Sequence, residues 1–313
     1  MIKERKKMFD LFDTTGFSHN LLKDENTAHL VVHHNKVLGA HLVPGLHVDI
    51  KEMEDGIDAV LTLDEGSVIE KPVHICFGML PEQGVQKINM NVDIGRNSKI
   101  GIYAHCTFPN AVDVKHIMDA KVHIGEGAEY HYFERHVHDK NGGVEVYPKA
   151  EVDVDKNAVF STEFELLKGR VGLIDIDYET TCRAGSTMEM SARVNGTGDD
   201  VIKIKEIGHL VGEKATGVLT SRIAARDNTK AEVYNKMTAS APYARGHVDC
   251  KEIIQGNGTA SAVPIVEVKH PKAHVTHEAA IGSVDSKELN TLMSRGLYED
   301  QAVDLIIDGL LGK

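Results

Sequence analysis

The sequence predicts a mainly β protein whose core, residues 28–275, is a β-solenoid. Apolar and polar residues alternate in 151–155, 172–178 and 201–205, and no stretch of the core carries a convincing helical period. A turn rich in Gly, Asn or Lys, followed by Ala and a β-prone segment, recurs mostly at intervals close to thirty residues. The repeat alanines are Ala128, Ala158, Ala184, Ala215, Ala231 and Ala260. Such a period indicates stacked units, which β segments build into a β-helix. A β-sandwich with regular turns is the alternative.

The first 27 residues predict a short N-terminal helical arm. Met8, Leu11 and Phe12 fall on one helical face, and the segment 13–16, which ends in glycine, supplies a stop. We therefore expect the arm to pack one apolar face against the start of the core.

Residues 276–313 predict a C-terminal element of two helices. Asp285 or Ser286 can cap the first helix, with Glu288 in its first turn and Gly296 near its end. The second helix begins at about Glu299, and apolar residues then recur at helical spacing. The apolar positions of the two helices are Leu289, Leu292, Met293, Val303, Ile306, Ile307 and Leu310. Such a pair either docks a partner or caps the end of the solenoid.

Composition excludes several classes of protein. The chain has 313 residues and a formal charge of −12, which argues against broad nucleic-acid binding. It has no apolar run long enough to span a membrane and no signal peptide at its N-terminus, so a cytoplasmic location is expected. The motifs of serine hydrolases, P-loop NTPases and Rossmann dehydrogenases are not found in the sequence.

Two histidine groups are candidates for metal binding. His136 and His138 lie two residues apart, so a strand presents both on one face. A metal-dependent enzyme can use such a pair, and the alternative is two histidines on a solvated strand face. His270, His274 and His277 with Glu278 form the densest polar group, which without further context indicates a surface loop.

The four cysteines are too sparse for a disulfide framework and form no CxxC motif. Cys76 and Cys182 stand in apolar or alternating contexts and are interpreted as packing residues. The charged neighbours of Cys250 indicate a segment that reaches the surface, where a thiolate can form. Cys106 is either buried packing or a reactive thiol, and the residues around it leave both possibilities open.

An ordered series of motifs resembles the SufB/SufD family of iron–sulfur cluster assembly proteins. The matching segments are residues 105–109, 246–256, 263–268, 277–279, 294–297 and 299–309. The likeness is closer to SufB, since Cys250 and the run that begins with His277 and Glu278 both match. It departs at His105 and Phe108, where the family has glycine and alanine. The chain is also shorter than a typical SufB, like compact archaeal versions that pair with themselves.

The resemblance implies a right-handed parallel β-helix and a scaffold role without turnover chemistry. It implies that Cys250 accepts persulfide sulfur and that Cys250, Glu278 and His277 hold a transient iron–sulfur cluster. It also implies that sulfur enters at Cys106, that the C-terminal helices dock a SufC-like ABC-type ATPase, and that apo iron–sulfur proteins receive the cluster. Because one chain offers few thiols, a homodimer with the cluster at its interface is expected. The other hypotheses are a metal-dependent β-fold enzyme using His136 and His138, and a purely structural adaptor.

Overall fold

The computed structural model describes residues 2–312 and has the predicted solenoid architecture. Within these residues, nineteen strands form two sheets, one of ten strands and one of nine, in about eight turns. Successive strands alternate between the sheets, so from strand Val73–Gly78 onward the strands two positions apart along the chain pair in parallel. Parallel pairing of this kind confirms the solenoid over the sandwich, because a sandwich is built from antiparallel pairs.

The first sheet follows the order β2-β1-β5-β7-β9-β11-β13-β15-β17-β19. Its strands are β1 (His29–His33), β2 (Lys36–His41), β5 (Val73–Gly78), β7 (Lys99–Phe108), β9 (Glu129–His138), β11 (Val159–Lys168), β13 (Thr187–Gly196), β15 (Thr216–Ala225), β17 (Arg245–Ile254) and β19 (His274–Ser283).

The second sheet follows the order β3-β4-β6-β8-β10-β12-β14-β16-β18. Its strands are β3 (Leu46–Glu52), β4 (Gly56–Leu63), β6 (Gln83–Ile94), β8 (Asp113–Ile124), β10 (Val144–Val154), β12 (Gly172–Cys182), β14 (Val201–Leu210), β16 (Lys230–Ala239) and β18 (Thr259–Val268).

The thirty-residue repeat arises from this stacking. Every second residue of a strand points inward, and parallel register places residues about one repeat apart in the same inward column. The repeat alanines Ala128, Ala158 and Ala215 are fully buried just after the turns, where only a small side chain fits. Gly127 and Gly185 have φ of 70° and 66°, which L side chains rarely adopt, so glycine suits these turns.

The N-terminal arm is helical as predicted. Helix α1 spans Ile2–Thr14, and a 3-10 helix follows at His19–Lys23. Met8 and Phe12 are buried in a small apolar cluster with Val31 and Cys76, which fastens the arm to the first sheet. Met1 and Lys313, the end residues of the predicted arm and tail, lie outside the described residues.

The C-terminal helices begin after the last strand. Strand β19 continues to Ser283, so the first part of the range 276–313 is extended. Helix α2 spans Ser286–Met293 and is capped by Asp285, whose carboxylate accepts the backbone N–H groups of Lys287 and Glu288. Helix α3 spans Glu299–Leu311. No helix among residues 2–312 is long and apolar enough to cross a membrane.

The two sheets end in an open edge. Strands β18 and β19 each pair with a strand on one side only. Val263, Val268 and Ile281 are exposed large apolar residues on these last strands. An unpaired edge with apolar side chains is a surface on which another chain can add.

Candidate functional site

Four metal-ligating side chains meet inside the solenoid. Cys106 comes from β7, Glu134 and His136 come from β9 beside it, and His116 comes from β8 of the facing sheet. All four are fully buried, and one ligand atom from each lies within 4.8 Å of the others. It is the one such group found among residues 2–312. We call these residues the interior tetrad.

The interior tetrad is held by short polar contacts. His136 Nε2 lies 2.7 Å from Glu134 Oε1, and Cys106 Sγ lies 3.7 Å from His116 Nε2 and 3.9 Å from Glu134 Oε1. His136 Nδ1 is 3.1 Å from His138 Nε2, and His138 Nδ1 is 3.2 Å from the Arg170 carbonyl oxygen. The expectation of a solvated face for His136 and His138 is wrong: alternation places them on one face, but that face points into the core.

Burial disfavours charge on every member of the interior tetrad. It raises the pKa of Glu134 to about 7, although His116 favours the ionised carboxylate. It lowers the pKa of His116 and of His136 to about 3. Burial, and then Glu134, raise the pKa of the Cys106 thiol well above its usual value. The protein interior therefore stabilises four uncharged side chains here unless another charge joins them.

Cys250 lies on β17, the strand next to the edge strand β19. Its thiol is fully buried and receives a hydrogen bond from Asn235 Nδ2 at 3.7 Å. Burial raises its pKa, while hydrogen bonds from Ser221 and Asn235 oppose the shift. The expectation that charged neighbours bring this cysteine to the surface is wrong, because strand alternation sends Asp249 outward and Cys250 inward.

His277 and Glu278 lie on β19, the edge strand above Cys250. In the register of the two strands, Val248 pairs with His277 and Asp249 with Glu278. His277 is therefore on the face of Cys250, whereas Glu278 is on the opposite face, with Oε1 3.4 Å from Lys251 Nζ. Both are exposed. Within one chain the strand thus separates Cys250 from Glu278.

The other two histidines of the predicted surface group, His270 half-buried and His274 exposed, are not gathered into a site. His270 Nδ1 accepts the backbone N–H of Lys272 at 3.2 Å in the turn before β19. His274 begins β19. They belong to no group of metal-ligating atoms within residues 2–312.

Buried polar residues lie between Cys106 and Cys250. The two cysteines are five strands apart in one sheet, roughly 24 Å at the usual strand spacing. On the facing sheet, Tyr178 pairs with Glu206 and Glu206 with Asn235. Burial, then Glu134 and Glu206, raise the pKa of Tyr178, so this phenol lies near both carboxyl groups. A cavity of about 30 Å³ lies between Tyr130, Tyr132 and Tyr178, among other residues.

Sequence reasoning missed His116, Glu134, Glu206 and Asn235. One signal was available, because His136 follows Cys106 by one repeat and parallel register stacks the two. His116 comes from the facing sheet, and no repeat spacing marks that contact. Cys76 lies in the apolar cluster under α1, and Cys182 lies in the main core, which fits the interpretation of both as packing residues.

The sequence of the chain matches one protein family and several of its members over most of its length. Residues 92–310 match the family described as SUF system FeS cluster assembly, SufBD core domain. The chain is 36% identical over 283 residues to an iron–sulfur cluster assembly SufBD family protein of Methanocaldococcus jannaschii, covering 90% of each chain. It is 32% identical over 312 residues to a protein of the same description from Pyrococcus horikoshii, covering 100% of this chain and 95% of the relative.

A shorter match links the chain to a bacterial protein. A stretch of 69 residues is 32% identical to the iron–sulfur cluster assembly protein SufB of Bacillus subtilis, covering 22% of this chain and 15% of that one. The resemblance seen in the sequence is confirmed: this chain belongs to the SufBD family of iron–sulfur cluster assembly proteins.

Proposed function

We propose that this protein is a cytoplasmic, non-enzymatic scaffold on which sulfur and iron are assembled into a cluster for transfer to apo iron–sulfur proteins. The cluster is cargo, and Cys250 is its principal thiolate ligand. The observation that carries the proposal is the position of Cys250 one strand below the open edge of its sheet, in a member of the SufBD family.

The open edge supports a homodimer around the cluster. Cys250 is the one cysteine proposed as a cluster ligand in each chain, and a cluster is usually held by several thiolates. A second copy added at β18 and β19 brings two Cys250 residues to one interface, with His277 on the same face. Glu278 joins this set only if its ion pair with Lys251 opens, or if it reaches the Cys250 of the other copy.

Sulfur acceptance at Cys106 and Cys250 is the second part of the proposal. A cysteine thiolate attacks the outer sulfur of a donor persulfide, so that a persulfide forms on this chain and the donor leaves as a thiolate. The buried groups between the two cysteines, Tyr178 and Glu206 among them, support a route through the core because they offer hydrogen-bond donors and acceptors in an otherwise apolar interior.

The C-terminal helices are proposed to dock a SufC-like ABC-type ATPase. Helix α3 is anchored by Val303, Ile307 and Leu311, which pack on Ala224 of β15. Its other side leaves Leu305 exposed, and Tyr298 before it is 79% exposed. A helix that is fixed on one face and exposes a large apolar side chain on the other offers a contact for a partner.

Anaerobic reconstitution with iron and sulfide tests the cluster site. The wild-type chain is expected to gain visible cluster absorbance, which Cys250→Ser abolishes and Glu278→Ala weakens. Cys182→Ser is the matched control, because it replaces a buried core cysteine that is not a proposed ligand. Equal absorbance in Cys250→Ser and Cys182→Ser would rule out the assignment.

A metal-dependent enzyme that uses His136 and His138 is the second candidate. The interior tetrad favours metal binding near these histidines, but His138 is outside the tetrad and hydrogen-bonds to the Arg170 carbonyl. All four ligand groups are buried, which leaves a substrate no direct approach. Turnover of any small-molecule substrate that is lost in His136→Gln would support this candidate over the scaffold.

A further inference from the structure

The interior tetrad carries an inference that goes beyond the proposed function and is spatially separate from Cys250. We infer that Cys106, His116, Glu134 and His136 bind one divalent transition-metal ion of the Zn²⁺ and Fe²⁺ class. Thiolate and imidazole ligands select such ions, whereas Mg²⁺ and Ca²⁺ prefer oxygen ligands throughout.

The charges of the interior tetrad match one divalent ion. An ionised Cys106 and an ionised Glu134 supply two negative charges, and two neutral imidazoles supply none. A 2+ ion therefore makes the whole group neutral, which is the condition for keeping charged ligands in an apolar core.

The distances between the ligand atoms of the interior tetrad are also compatible with one bound ion. Four ligands at tetrahedral zinc bond lengths lie about 3.5 Å from one another. The ligand atoms of the tetrad are already within 4.8 Å of each other, at 2.7, 3.7 and 3.9 Å for three of the pairs.

Hydrogen bonding fixes the imidazole of His136 in the form that binds metals. The Arg170 carbonyl only accepts, so His138 carries its proton on Nδ1 and offers a lone pair on Nε2. That lone pair accepts the Nδ1–H of His136, which leaves the Nε2 lone pair of His136 facing Glu134 Oε1 at 2.7 Å. Either a proton or a cation must separate these two electron-rich atoms. A hydrogen bond from the other ring nitrogen, here to His138, is typical of metal-bound histidine.

Two further atoms lack partners. Glu134 Oε2 and His116 Nδ1 are buried and have no hydrogen-bond partner in the structure. Phe108 lies beside the His116 ring at 5.1 Å between centroids, and Phe164 beside the His136 ring at 4.8 Å. The site is closed by apolar walls, so we place the ion in the closed, fully protein-ligated class that joins the two sheets and is loaded during folding.

Metal binding bears on the sulfur chemistry proposed for Cys106. A thiolate that ligates an ion is not free to attack a persulfide, so the metal-bound and persulfide forms of Cys106 exclude each other. Occupancy of the tetrad therefore decides whether Cys106 accepts sulfur, while Cys250 keeps its own role.

Cobalt substitution tests the inference on the full-length chain. The protein is unfolded anaerobically with a chelator and refolded with Co²⁺, whose tetrahedral thiolate complexes absorb in the visible and near ultraviolet. We expect one Co²⁺ per chain with a sulfur-to-cobalt charge-transfer band. Cys106→Ser is expected to abolish that band, whereas Cys250→Ser and Cys182→Ser keep it. His138→Phe, which leaves all four ligands in place, is expected to lower the affinity about 10–100-fold.

Metal analysis of the protein as purified distinguishes zinc from iron. A single ion that is still bound to Cys250→Ser is assigned to the interior tetrad. This assignment holds even if cluster reconstitution fails and contradicts the scaffold proposal. Refolded wild-type protein that retains no cobalt through gel filtration would overturn the inference, as would a charge-transfer band that persists in Cys106→Ser. Because the wild-type measurement stands alone, misfolding of a variant does not obscure the result.

Discussion

Buried titratable side chains distinguish the interior of this solenoid from an ordinary apolar core. Glu134, Glu206 and Glu252 are all at most 2% exposed, and each has a carboxyl oxygen without a partner. Burying such groups without a partner costs free energy, and residues of this kind concentrate at functional sites. We therefore expect these three carboxyl groups to serve function rather than stability.

Glu206 gives a pH-dependent prediction. Burial raises its pKa from 4.5 to about 8, so folding favours the protonated acid. Below pH 4.5 the folded and unfolded states are both protonated. Above it the unfolded state ionises first, and stability falls by up to about 1.4 kcal/mol per pH unit until pH 8. Glu206→Gln should therefore gain stability relative to wild type between pH 5 and 8.

Urea unfolding of both proteins across that range measures the gain. Because glutamine does not titrate, any other effect of the substitution shifts the unfolding free energy equally at every pH. Such a shift does not change how the difference between the two proteins varies with pH. A difference in unfolding free energy that stays flat from pH 5 to 8 would contradict the shifted pKa. Thr180→Val, at a buried position of β12 that does not titrate, is the control and should give no such trend.

Strand geometry determines which of the site residues can be predicted from the sequence. Alternation correctly places His136 and His138 on one face, but it does not tell which face is buried, because polar residues at inward positions imitate a solvated strand. The repeat relates Cys106 to His136. It says nothing of His116, since contacts across the core depend on how the two sheets are aligned.

At the scale of elements, the strands and all three α-helices are predictable because each has a strong local pattern. The cap at Asp285 and the apolar spacing of α3 are confirmed. The pairing partners are not readable from one strand, because every strand of the core has a similar alternating pattern. The extension of β19 to Ser283 likewise depends on its pairing with β17.

Helix α3 provides a prediction with two contrasting variants. Ile307 is 1% exposed and Leu305 is 51% exposed. Ile307→Ala should loosen the packing of α3 on the core by about 2–5 kcal/mol, because it leaves a cavity. Leu305→Asp should leave that packing intact and weaken binding of the proposed ABC-type ATPase partner at least tenfold.

Hydrogen exchange of α3 and titration with the ATPase read out the two effects. Faster exchange in Leu305→Asp, or unchanged ATPase binding, would contradict the assignment of this face to a partner.

At the level of the whole molecule, the open edge of β18 and β19 is the proposed dimer interface. Ile281 is 43% exposed on β19, and Val60 is 47% exposed on β4, which has a strand on each side. Ile281→Lys should prevent formation of the proposed homodimer, because lysine on an edge strand blocks edge-to-edge addition. Val60→Lys should remain dimeric. Light scattering after gel filtration measures the mass, and a dimeric Ile281→Lys would remove this edge from the interface.

Native mass spectrometry of the anaerobically reconstituted protein shows whether two chains share one cluster through Cys250. We expect a dimer that carries the mass of one iron–sulfur cluster, and a Cys250→Ser dimer that carries none. A cluster bound to single chains, or one retained by the Cys250→Ser dimer, would contradict this expectation.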